Sequence, residues 1–246
     1  MNSNLMLKVK NLKVNLRLKN PIVNKISFSV NLKEVHALIG ENGAGKTAII
    51  KSIVNSYVNY TGEIQINNSN SKATNSKSIL GYVPSVIDFP KHITTYKYLT
   101  LLGKISKLTP TLIDKRVEKF LSIFKIEHLK NQKPYNFSLG QKRKISFIQA
   151  LIHNPNFIIL DDPLANLDFN SKLDIINILK QLKNQGKTIL ISSNNLEDID
   201  MLVDSVTYIK EGKIIYSGKK DQKLETYFTS QYIKQNNQEN VTNESK

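Results

Sequence analysis

Residues Gly40 to Thr47 read Gly-Glu-Asn-Gly-Ala-Gly-Lys-Thr, the G-x-x-x-x-G-K-[ST] spacing of a phosphate-binding loop. Each residue type has a reason to be there. Glycine lets backbone N–H groups turn inward and ring an anion without Cβ clashes. Lys46 carries a charge that can reach the outer phosphates, and the Thr47 hydroxyl can hold Mg²⁺. Gly40, Glu41, Asn42, Gly43, Ala44, Gly45, Lys46 and Thr47 are therefore candidate binding residues for ATP or GTP.

A second group lies further on. Phe157-Ile158-Ile159-Leu160-Asp161 is an apolar run that ends in a carboxylate. Beside a phosphate loop, such an Asp suits the Mg²⁺ shell, so Thr47 and Asp161 are the candidate metal residues. Asp162 follows, where a base for an attacking water could sit. Between the two groups lies Ser138-Leu139-Gly140-Gln141, opening the run Lys142 to Leu151. Ser138 can cap a helix there, and a helix N-terminus with a nearby glycine is a second anion site. Taken alone, this segment reads first as a plain Ser-capped helix.

Positioning these groups needs strands and helices. The phosphate loop follows Val35-His36-Ala37-Leu38-Ile39 and precedes a helical pattern from Ala48 to Val54, the strand–loop–helix context the motif requires. Leu5 to Val9, Ile26 to Val30 and Thr61 to Ile66 alternate apolar and polar residues, which predicts antiparallel strands. Residues 68 to 78 are rich in Asn, Ser and Lys and read as a surface loop. From about Tyr96 to Gln132 the period turns helical, with Val117, Phe120, Leu121 and Phe124 on one face. Thr188 to Ile191 is a further core strand. Ser205 to Lys210 and Lys213 to Ser217 flank Glu211-Gly212 as a hairpin.

Composition narrows the classes. The chain has 246 residues, 40% of them apolar, enough for one sizeable α/β domain. It has no cysteine, which excludes disulfides and thiol catalysis and fits a reducing compartment. No stretch approaches about 18 uninterrupted apolar residues, so no membrane span is expected. The formal charge is +15. Its lysines are scattered rather than clustered with aromatics, which reads as a solvated face with secondary attraction to an anionic membrane surface; no nucleic acid partner is expected. Abundant Lys, Asn and Ile suggest AT-rich coding DNA and a low-GC bacterium. After about Tyr232 the chain is polar and reads as disordered.

Taken in order, strands, phosphate loop, helical insert, Ser138-Leu139-Gly140-Gln141, Ile159-Leu160-Asp161-Asp162-Pro163 and Ala165-Asn166-Leu167-Asp168, the chain resembles the ATP-binding subunit of an ATP-binding-cassette (ABC) transporter over roughly residues 5 to 218. The resemblance implies an α/β P-loop NTPase core of the RecA-like kind, an N-terminal antiparallel β-subdomain and a helical signature subdomain. It implies a nucleotide-binding domain over 5–232, with the helical part at about 90–150 and a polar tail at 233–246. The nucleotide is then ATP with Mg²⁺. Two cassettes close head to tail, as a homodimer or a heterodimer, and each ATP lies between one chain's phosphate loop and Ser138, Leu139, Gly140 and Gln141 of the other. Asp168 would cross the dimer interface. Ser85 to about Lys97 would face a multi-span membrane subunit, at the cytoplasmic face of a bacterial cell membrane. Leu139 between Ser138 and Gly140 resembles the branch that exports, or confers immunity to, antimicrobial peptides and drugs.

The chain departs from the family's pattern where hydrolysis is carried out. The family has a Glu after the strand Asp; here Asp162 stands there. It has a Gln where this chain has Ser85, and a His where this chain has Asn194. The family's adenine-stacking aromatic is missing from the corresponding stretch, Asn15-Leu16-Arg17-Leu18; Arg17 either stacks in its place or is a plain solvated side chain. Asn195-Leu196-Glu197-Asp198 reads as a helix cap and first turn, which makes Asn195 structural. Asp162, Asn194 and Ser85 thus form a candidate catalytic set that binds better than it cleaves. Two readings follow from one fold: a slow transport ATPase, or a nucleotide-binding partner in an asymmetric heterodimer. A cassette acting on DNA or ribosomes is the third; such members carry long coiled-coil inserts or two cassettes per chain, and 246 residues hold neither.

Overall fold

The computed structural model describes residues 4–15, 21–56 and 59–227. The first strands are β1 (Leu5–Val14), β2 (Val23–Asn31) and β3 (Val35–Gly40), followed by helix α1 (Lys46–Ile53). Next come β4 (Tyr60–Ile66), β5 (Ser69–Asn70), α2 (Thr74–Ser78) and β6 (Leu80–Val83). The helices α3 (Thr95–Ile105), α4 (Pro110–Ile123) and α5 (Leu139–Leu151) lead to β7 (Phe157–Asp161). Helix α6 (Phe169–Asn184), β8 (Thr188–Ser193), α7 (Glu197–Asp200), β9 (Ser205–Lys210) and β10 (Lys213–Lys219) complete the described chain.

Two sheets result. One is antiparallel, in the order β2-β1-β4-β5; the other runs β10-β9-β3-β8-β7-β6. Within the second, β9, β3, β8, β7 and β6 are parallel and only β10 pairs antiparallel. This is the expected α/β P-loop core with an N-terminal antiparallel sheet. Its central strands β3, β7 and β8 are buried at every position, as parallel strands covered on both faces must be.

Alternation along those strands decides which layer each side chain joins. Ala37, Ile39, Ile158, Leu160, Ile189 and Ile191 pack into the core shared with the helices. Leu38, Phe157, Ile159 and Leu190 point the other way, into the core shared with α1 and the antiparallel sheet. The phosphate loop between β3 and α1 is therefore fixed at both ends by packed elements. In the helical region, Ile113, Val117 and Leu121 of α4 are buried, as the helical period predicts.

The polar segment 68–78 differs from the predicted loop, because it contains β5 and α2. Its order comes from hydrogen bonds rather than apolar burial: Ser76 is buried and its hydroxyl donates to the Asn70 carbonyl at 2.8 Å. The tail 233–246 and Arg17 lie outside the described residues.

Candidate nucleotide and metal site

Parallel strands deliver their carboxyl ends to one edge of the sheet, and the ligand crevice of an open α/β fold lies there. Here β3 delivers the phosphate loop, β6 delivers Ser85, β7 delivers Asp161 and Asp162, and β8 delivers Ser192 and Asn194. They border a cavity of about 560 Å³, whose walls also include Ile22, Asn42, Gly43, Gly45, Lys46 and Thr47.

The loop's geometry is imposed by its glycines. Gly45 has φ +108° and is the N-cap of α1. A Cβ there would lie 2.8 Å from Val23 Cγ2, so an L side chain is excluded by both conformation and space. Glu41 and Asn42 are exposed, while Ala44 is buried. Lys46 is 8% exposed, and its amine donates to the Gly40 carbonyl at 2.7 Å and the Glu41 carbonyl at 3.0 Å. Burial lowers its pKa, opposed by the negative charges of Asp162 and Asp161. The amine thus sits over the loop, where an outer phosphate would meet it.

Asp161 is 1% exposed and accepts three hydroxyl hydrogen bonds. Thr47 Oγ1 donates to Oδ1 at 3.1 Å, Ser192 Oγ to Oδ1 at 2.9 Å, and Ser85 Oγ to Oδ2 at 3.1 Å. This all-oxygen set suits a hard cation. Among the described residues no cluster of three or more His, Cys, Asp or Glu side chains could hold a metal. One carboxylate, one hydroxyl and the ligand's phosphates match the way Mg²⁺ is commonly held, so Thr47 and Asp161 fit it.

Asp162 has φ +48°. Its N–H donates to Ser192 Oγ at 3.0 Å, and its Oδ2 accepts from Asn194 Nδ2 at 3.2 Å. Burial raises its pKa, with Lys46 pulling it down. A carboxyl shifted upward in a cleft is better suited to accept a proton. Ser85, Asp162 and Asn194 all line this cavity. Asn195 does not cap α7, whose N-cap is Leu196. Its amide donates instead to Asp198 Oδ2 at 2.9 Å, so it is structural by another route.

The second group stands apart. Ser138 and Gln141 form a capping box: Gln141 N donates to Ser138 Oγ at 3.3 Å, and Ser138 N to Gln141 Oε1 at 3.0 Å. Leu139 is 41% exposed. A Cβ on Gly140 would meet Ser171 Oγ at 2.5 Å, and that hydroxyl donates to Asp168 Oδ2 at 2.6 Å. Gly140 therefore lies close against the start of α6, where an added side chain would displace the Ser171 hydroxyl. None of these four residues lines the cavity around Lys46; Ser138 and Leu139 are exposed, Gln141 is half-buried and Gly140 is buried against α6.

Sequence reasoning passed over two residues. Ser192 holds Asp161 and the Asp162 amide together, and only the register that pairs Asp161 with Ser192 reveals it. Arg143, 2% exposed, reaches the carbonyls of Pro84 and Ser85; a charged residue in the middle of a buried helix face is the signal that could have found it.

Residues 23–165 match the ABC transporter family. An ABC transporter ATP-binding protein of Mycoplasma pneumoniae is 40% identical over 202 residues, which cover 82% of this chain and 62% of that protein. A linearmycin resistance ATP-binding protein of Bacillus subtilis is 31% identical over 204 residues, 82% of this chain and 66% of that one. The chain thus spans less than two thirds of either relative's length. A solved structure of the ATP-binding subunit of an ABC transporter superposes with a TM-score of 0.80 at 26% identity, covering 88% of this chain and 90% of that one.

Proposed function

This chain belongs to the ABC transporter family, and we propose that it is the MgATP-binding subunit that powers or gates transport through a separate membrane subunit, with weak hydrolysis of its own. The observation that carries this reading is the convergence on one carboxylate: Thr47, Ser85 and Ser192 all donate to Asp161 beside the Lys46 amine. Lys46 and the loop amides would bind the phosphates. Thr47 and Asp161 would hold Mg²⁺, which when bound neutralises phosphate charge.

Asp162 would take a proton from the attacking water, and its raised pKa suits that task. It is one methylene shorter than Glu, so its carboxylate sits back by roughly 1.5 Å, a C–C bond length. Misplacement of about 1 Å can cost about 10²-fold in rate. Asn194 can donate a hydrogen bond to a terminal phosphate, but it can neither carry charge nor relay a proton.

A second reading is favoured by where the weakened groups lie. The Asn194 amide is engaged by Asp162 and the Ser85 hydroxyl by Asp161, whereas the capped helix start at Ser138 is intact. In a pair of unequal cassettes, ATP held by Lys46 would close the dimer, and Ser138 to Gln141 would complete a competent site on the partner. No described helix is long and apolar enough to cross a membrane, so membrane contact would come through a partner at the cytoplasmic face. Val86, 83% exposed just after Ser85, would be part of that contact. The linearmycin resistance relative supports the export or immunity branch, as does Leu139.

The reading is tested by titrating a fluorescent ATP analogue with Mg²⁺. Lys46→Ala, which removes the charge facing the phosphates, should abolish saturable binding. Unchanged affinity would refute the site.

A further inference from the structure

Arg143 is a charged side chain inside the protein, at 2% exposure. Among the described residues it forms no ion pair, although the negative charges of Asp162 and Asp161 offset part of its burial. Its Nη1 donates to the Pro84 carbonyl at 2.7 Å and its Nη2 to the Ser85 carbonyl at 3.2 Å, while its buried Nε has no partner. Burying a guanidinium is unfavourable, and an apolar side chain of similar volume would fill the same space without that penalty. What an apolar residue cannot do is grip two successive carbonyls with a planar fork.

Those two carbonyls belong to the residues immediately beyond β6. The Ser85 hydroxyl, on the second of them, donates to Asp161 Oδ2 at 3.1 Å. Arg143 therefore fixes the backbone that aims a hydroxyl at the metal carboxylate. Its own base is rigid, because α5 presses on β6: a Cβ on Gly81 would lie 2.4 Å from the Ala150 carbonyl oxygen. The helix that begins at Ser138 cannot slide along β6 without moving this fork.

We propose that Arg143 is a positioning residue for the metal half of the nucleotide site, acting through the Pro84–Ser85 backbone to hold Asp161 turned toward Thr47. The inference rests on the reading of the cavity as a MgATP site. Partners that hydrogen-bond a metal-ligating carboxylate typically matter about 10- to 100-fold in metal affinity.

The test is binding of a fluorescent ATP analogue to the full chain, with and without Mg²⁺. Arg143→Met should raise the Mg²⁺ concentration for half-maximal binding by about tenfold and leave Mg²⁺-free affinity unchanged. Arg143→Lys should fall between wild type and Arg143→Met, because an ammonium can reach two carbonyls, as Lys46 does, but lacks the planar fork that fixes both at once. Ser85→Ala should give the same Mg²⁺ shift, and the Ser85→Ala, Arg143→Met pair should be no worse than either alone, since both act on one carboxylate. Ser85→Ala also answers the question if Arg143→Met does not fold. An equal loss with and without Mg²⁺ would mean a merely structural role, and an unchanged Mg²⁺ response would mean none; either overturns the proposal. A wild-type chain whose nucleotide binding ignores Mg²⁺ overturns the site reading and this inference with it.

Discussion

Acid should loosen the strand that carries the phosphate loop. His36 lies on β3, four residues before Gly40, at 1% exposure. Its Nδ1 pairs with Ser205 Oγ at 2.6 Å and its Nε2 with Thr207 Oγ1 at 2.8 Å, so both ring nitrogens are satisfied in the neutral form. Phe28 stacks on the ring at 5.9 Å between centroids. The Glu34 carboxylate is 3.9 Å away, but it is committed to Asn31, whose N–H donates to it at 2.6 Å. Burial pushes the His36 pKa from 6.5 down to about 3. The folded ring thus stays neutral while the unfolded chain takes up a proton below about pH 6.5. Its stabilising effect is complete above that pH and drains away as pH falls toward 3. At about 1.4 kcal/mol per tenfold, the full effect is roughly 5 kcal/mol, and about 2 kcal/mol is lost between pH 7.5 and pH 5. With a typical urea slope, that moves the midpoint by about 1 M. His153, also lowered by burial, adds loss of the same sign, so the comparison is with His36→Gln, which cannot be protonated. Urea denaturation at the two pH values should show a larger midpoint shift for wild type than for His36→Gln. Equal shifts would refute the argument.

Other substitutions follow from the same geometry. Ser192→Ala removes the acceptor of the Asp162 N–H and one donor to Asp161, and should cost about 1–3 kcal/mol in urea denaturation, with Ser192→Thr retaining the hydroxyl and most of that stability. Gly140→Ala drives a Cβ toward Ser171 Oγ and should destabilise by about 1–3 kcal/mol; adding Ser171→Ala should recover part of the loss, and no recovery would refute the contact. Asp162→Glu with Asn194→His should raise turnover by up to about 10²-fold, because the two side chains meet and act as a unit; a folded, ATP-binding variant that is no faster would remove the explanation.

The sequence was most legible where local chemistry and periodicity agree. Gly40 to Thr47, Asp161 and the Ser138 cap each carry their reason in adjacent residues, and Ser85, Asp162 and Asn194 all line the cavity beside the loop. It was least legible where order depends on distant partners. Helix α2 has no apolar stripe; Ser76 is buried by hydrogen bonds to backbone it meets only after folding. Ser192 looks like an ordinary small residue on an apolar strand until the pairing of β7 with β8 sets it against Asp161. Arg143 is one basic residue among several in Lys142-Arg143-Lys144, and the docking of α5 on β6 is what buries it fully, whereas Lys142 is half-buried and Lys144 pairs with Asp174. Asn195 shows the converse: its structural role was foreseen, but its bond runs to the Asp198 side chain rather than to a helix N–H.

The central claim is a site that holds MgATP well and cleaves it poorly. Equilibrium binding and steady-state turnover, measured on one purified preparation of the chain at saturating MgATP, test it most directly. The account predicts saturable, Lys46-dependent binding with turnover below about 1 s⁻¹, the low end of typical enzyme rates. Turnover within the usual range of about 1–10³ s⁻¹ would contradict it and make Asp162, Asn194 and Ser85 a competent catalytic set.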